Sequence, residues 1–118
     1  MSPRPIALLI GDILDRIDRI ERFVADLDRD AFVRDEKTSD AAMRSLEVIG
    51  EAANRLPQEF QNEHAEIPWR RIVGLRNRVL HGYFDVDLEL VWEILRAELP
   101  VLKAQLRALR IEQNDDQS

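Results

Sequence analysis

The chain has 118 residues, of which 45% are hydrophobic and 34% charged, with a formal net charge of −6. That length suits one compact domain with one core, and that balance excludes a disordered chain. It contains no cysteine, which excludes a disulfide framework and thiolate metal sites and agrees with a cytoplasmic setting.

The N-terminus, MSPRPIALLIGDILDRID, turns charged too soon for a signal peptide. No apolar run approaches the roughly 20 residues that span a bilayer, so no membrane association is expected. The first helix is predicted from Pro5 to Asp28. Ile6, Ile10, Ile13, Ile17, Ile20, Val24 and Leu27 step by four and three, the spacing of a long bundle helix. Leu9, Leu14 and Phe23 widen this stripe. A short helical turn follows over Asp30–Arg34, with Phe32 pinned inward.

The segment DEKTSDAA opens the second long helix, with Thr38 or Ser39 as N-cap and Asp40 in the first turn. Ala42, Leu46, Ile49, Ala53 and Leu56 form its apolar stripe. Ala41, Ser45, Val48 and Ala52 form a second row of small residues, with Gly50 nearby for close packing. Pro57 ends this helix and begins a short one through Glu63. The next helix is predicted from Pro68 to Gly82, with Trp69, Ile72, Val73, Val79 and Leu80 as its stripe. Turning about 100° per residue places Arg76 near the middle of that stripe, a local rule broken. The last helix is capped by Asp85 or Asp87, carries a row from Leu88 to Leu109, and is kinked or divided by Pro100.

No stretch shows strand alternation. The fold class is therefore all-α: an antiparallel bundle of four main helices plus short helical turns. Residues 1–110 form the helical domain, and 111–118 a flexible polar tail. The surplus of apolar surface on the first two long helices predicts a homodimer.

Positive charge gathers in one place. Between Glu66 and Tyr83 the chain carries Arg70, Arg71, Arg76 and Arg78 against one acid while the rest is acidic, a pattern that suits a local anion site or a surface that meets a basic partner. His81 lies one turn beyond Asn77 and Arg78, whereas His64, in a polar turn, is given no role. A histidine beside arginines can do acid–base work on a phosphodiester while guanidinium holds the non-bridging oxygens. On RNA the substrate's own 2′-hydroxyl can be the nucleophile, leaving a 2′,3′-cyclic phosphate with neither metal nor cofactor required. On a straight helix Arg76 and His81 stand about 140° apart, so a joint site needs unwinding at Gly82 or a second copy across a dimer axis. The bland readings stay open: Arg76 paired with a buried acid such as Glu47, and His81 as a helix-capping group. No phosphate-binding glycine loop, HExxH or metal-binding carboxylate set is present.

The run Arg76-Asn77-Arg78-Val79-Leu80-His81-Gly82-Tyr83 resembles the Arg-x4-His-x-Tyr motif of HepT-type toxins in the HEPN superfamily. The resemblance extends through IPWRRIVGLRNRVLHGYFDVDLELVWEIL, the upstream DEKTSDAAMRSLEVIGEAANRLP and the N-terminal helix, covering nearly the whole chain apart from the tail. It implies a HEPN bundle that dimerises with its motifs facing each other, and a metal-independent endoribonuclease acting as the toxin of a toxin–antitoxin pair. It matches Arg76 and His81 to the catalytic pair, Asn77 to the polar residue after the motif arginine, and Tyr83 to the motif tyrosine. The implied partner is an MntA-like nucleotidyltransferase antitoxin that adds AMP to Tyr83, placing bulk and negative charge where RNA phosphate must enter. The competing reading is a non-catalytic regulatory or substrate-binding partner of such a nucleotidyltransferase, with the motif as a docking surface.

Overall fold

A computed structural model describes residues 3–80 and 85–109. The described residues form α1 (Ile6–Val24), α2 (Arg29–Arg34), α3 (Glu36–Arg55), α4 (Gln58–Glu63), α5 (Trp69–Val73), α6 (Leu75–Val79), α7 (Leu88–Glu93), a π-helical turn (Ile94–Glu98) and α8 (Leu99–Ala108). The architecture is the all-α bundle expected. His81, Gly82, Tyr83 and the tail from 111 to 118 lie outside the described residues.

The long helices α1 and α3 pack along each other and make the spine. The predicted stripe of α1 is what they bury: Ile10, Ile13, Ile17, Ile20 and Val24 are all in the core, with Leu9 beside them. Phe23, expected to widen the stripe, is instead exposed. On α3, both predicted rows face neighbours, with Ala42, Leu46, Ile49 and Ala53 buried on one and Ser45 and Ala52 on the other.

The start of α3 differs from expectation. Asp35, not Thr38 or Ser39, is the N-cap: its carboxylate accepts the Thr38 N–H at 3.0 Å and the Thr38 hydroxyl at 2.8 Å. A charged acceptor placed just before the first helical residue satisfies an otherwise orphaned N–H and favours the positive end of the dipole, so the helix starts earlier. These bonds also hold the Asp35 carboxyl below its usual range, the backbone bond first. In α2, Phe32 is fully buried as expected and stacks at 5.3 Å on Trp92.

Ahead of Pro100 the last helix is divided, as expected, into α7 and α8. The proline's missing N–H and its ring disturb the turn before it, and the Leu99 N–H reaches back to the Ile94 carbonyl, five residues away. The chain absorbs the proline as one π turn between α7 and α8. Of the two predicted caps for α7, Asp87 is the one used, accepting the Leu90 N–H at 3.0 Å. Among the described residues no helix is long and apolar enough to cross a membrane.

Candidate active site

The predicted helix from Pro68 to Gly82 is two short helices. The chain breaks at Gly74 (φ −88°, ψ 8°), after α5 and before α6. A single helical phase therefore does not run from Trp69 to Leu80. The break turns Leu75 and Val79 into the core and leaves Val73 exposed. It also moves Arg76 off the apolar side: its side chain is 60% exposed. The buried guanidinium expected from helical periodicity is thus corrected to a guanidinium at the surface.

Close packing of two backbones sets where this surface lies. A Cβ on Gly50 would stand 3.2 Å from the Ile72 carbonyl oxygen and 3.3 Å from that of Val73. Those distances are tighter than ordinary contact, so the missing side chain of Gly50 favours this close approach of α3 to the end of α5. This lays α3 against α6 and makes a groove of about 280 Å³ whose rim carries Glu47, Glu51, Asn54, Arg76 and Asn77. Arg76 Nε stands 3.8 Å from Glu47 Oε2, and the Glu47 side chain is 41% exposed. The buried Arg76–Glu47 ion pair weighed from the sequence is therefore an open, long one.

Asn77 shares the groove with Arg76, but Arg78 does not line it. Arg78 turns to the last helix and forms a fork with Glu98, donating at 2.8 Å to Oε1 and at 2.7 Å to Oε2. Arg71 of α5 donates to the same Oε2 at 3.3 Å. The hydrogen bond with Glu98 raises the Arg78 pKa, and the same bond, aided by Arg71, holds the Glu98 carboxyl below its usual range against the opposing effect of burial. The sequence grouped Arg78 with Asn77 as a support of the reacting centre, whereas its guanidinium is engaged by Glu98. Glu98 itself was missed. The nearest signal for it was Pro100, which marks an irregular turn there.

After α6 the backbone changes character. Leu80 is extended (φ −94°, ψ 127°), and it forms an isolated antiparallel bridge with Val86. The Asp87 N–H donates to the Val79 carbonyl at 2.7 Å. The helix expected to carry His81 therefore stops at Val79, and the chain returns beside it to start α7. His81 and Tyr83, the other two predicted site residues, lie outside the described residues. His64 stacks at 4.5 Å on Phe60, and its carbonyl accepts the Trp69 indole N–H at 3.0 Å, which ties α4 to α5. No cluster of histidine and carboxylate side chains among the described residues could hold a metal ion.

With Arg76 open beside Asn77 in a polar groove, the wider likeness of the chain becomes informative. The family model for HepT-like ribonucleases matches residues 13–109. The chain belongs to the HepT-like ribonuclease family. Among curated relatives it is 38% identical over 101 residues to "Probable ribonuclease HepT" of Thermococcus cleftensis, covering 86% of this chain and 92% of that protein. It is 37% identical over 100 residues to a candidate RNase of Methanocaldococcus jannaschii, covering 85% and 83% of the two. A candidate RNase of Caldanaerobacter subterraneus is 35% identical over 108 residues, covering 92% and 94%. No solved structure matches the chain. The family assignment agrees with the resemblance read from the Arg76–Tyr83 run and extends over the bundle that carries it.

Proposed function

We propose that this chain is a metal-independent endoribonuclease and the toxin of a toxin–antitoxin pair, with Arg76 and His81 as its catalytic residues. The observation that carries this reading is Arg76 itself: an exposed guanidinium with Asn77 at an open groove, in a chain of the HepT-like ribonuclease family. Arg76 grips the non-bridging oxygens of the scissile phosphate and offsets the charge that grows there. Asn77 orients the same group by hydrogen bonding. A His81 takes the proton of the 2′-hydroxyl as its oxygen bonds to phosphorus. A second His81, from the other protomer of a homodimer, gives a proton to the 5′-oxygen as the P–O bond breaks. The products are a 2′,3′-cyclic phosphate and a free 5′-hydroxyl.

The partner we propose is an MntA-like nucleotidyltransferase antitoxin, working in the cytoplasm, that adds AMP to Tyr83. An added AMP carries its own phosphate to a residue two positions from His81 and repels the RNA phosphate that must enter there. The test is cleavage of RNA by purified, unmodified chain in a chelator, with the ends of the fragments analysed. Cyclic phosphate ends lost in both Arg76→Ala and His81→Ala support the reading. Equal cleavage by wild type and both variants, or none by any, refutes it.

A further inference from the structure

Helix α6 carries Arg76 and Asn77, yet it has only 5 residues. A helix so short is not stable by itself, and its direction must come from what it touches. Leu75 and Val79 anchor one side in the core. Helix α3 packs against both α5 and α6, and a further restraint spans the Gly74 joint. Arg71 stands before that joint, on α5, and Arg78 after it, on α6. Both guanidinium groups end on one carboxylate, that of Glu98.

We propose that Glu98 is a positioning residue of the RNA-cleaving motif: by holding Arg71 and Arg78 together across Gly74 it fixes the angle between α5 and α6, and so fixes where Arg76 and Asn77 meet the scissile phosphate. This rests on the ribonuclease reading above. Two independent features support it. The fork between Arg78 and Glu98 is bidentate, the most directional contact a guanidinium makes with a carboxylate. Glu98 also closes the π turn at Ile94–Glu98. Such turns re-aim side chains and occur often at functional sites. The clamp has a second effect, on charge. Glu98 offsets Arg71 and Arg78, and Arg76 is the guanidinium that lines the groove. The Glu98 carboxyl, held below the ordinary range, stays ionised at neutral pH.

The test is steady-state cleavage of a fluorogenic RNA by the full chain, with melting temperature measured on every variant. Glu98→Gln should lower kcat by about tenfold, because a small misplacement of a binding group costs that much or more. KM should stay within about twofold, since Arg76 is still present to bind phosphate. Arg78→Ala should show the same loss, and the double variant should lose no more than either single one. If Glu98→Gln does not fold, Glu98→Asp, which keeps the charge and shortens the reach, should show the kcat loss instead. Unchanged kcat in Glu98→Gln or Glu98→Asp, or losses that multiply in the double variant, would overturn the clamp while leaving the ribonuclease reading intact. A wild type that cuts no RNA would overturn both.

Discussion

Arg76 Nε and Glu47 Oε2 stand 3.8 Å apart at the mouth of the groove between α3 and α6. That separation is too long for a hydrogen bond, and both side chains are well exposed. Such pairs contribute about 0–1 kcal/mol to stability. Arg76→Ala should therefore leave the unfolding midpoint in urea nearly unchanged while abolishing RNA cleavage. A loss of several kcal/mol, as for a stranded buried partner, would mean that Arg76 is a structural residue.

The same pair makes a prediction about binding. Glu47 is an acid paired with the guanidinium that RNA phosphate is to reach. Glu47→Gln removes that competitor and should tighten RNA binding a few-fold at low salt, an effect that fades as salt screens the charges. Fluorescence anisotropy across a salt series reads it. Weaker binding in Glu47→Gln would show that the carboxylate helps to hold the substrate.

Gly50 predicts a steric effect. Its missing side chain lets α3 meet the Ile72 and Val73 carbonyls, which are backbone atoms with little room to retreat. Gly50→Leu should destabilise the fold by about 1–3 kcal/mol through overpacking, and it should weaken cleavage by pushing α3 from α6. Chemical denaturation and the cleavage rate, measured together, check both parts.

The Glu98 clamp carries a pH signature. The folded carboxyl titrates below its unfolded value because Arg78 bonds its ionised form. Its stabilising contribution is thus fully present above the unfolded carboxylate range, roughly pH 4–5, and is lost as pH falls through the folded value. The stability gap between wild type and Glu98→Gln should be flat from about pH 6 to 8 and shrink in acid. Urea titrations at several pH values measure it. A gap that widens in acid would contradict the bonding described.

Much of the fold could be read from residue spacing, because long helices that bury one face declare it. The α1 stripe from Ile10 to Val24 and the burial of Phe32 are as expected. What spacing misjudged was phase and caps. Gly74 breaks the helix, so the positions of Trp69 and Ile72 do not fix that of Arg76. At the start of α3 the cap falls on Asp35, ahead of the Thr38 or Ser39 expected, because its carboxylate reaches the Thr38 N–H. The link between Arg78 and Glu98 could not be read at all. It joins residues 20 apart in the chain through a π turn that follows from Pro100, and no local pattern announces such a pairing.

The most direct measurement is the chemistry of the ends left when the purified chain cuts RNA in a chelator, beside Arg76→Ala and His81→Ala. The account predicts 2′,3′-cyclic phosphates and 5′-hydroxyls from the wild type alone, with all three proteins equally folded. Fragments of the same kind and amount from Arg76→Ala, or a wild type that leaves RNA intact, would contradict it.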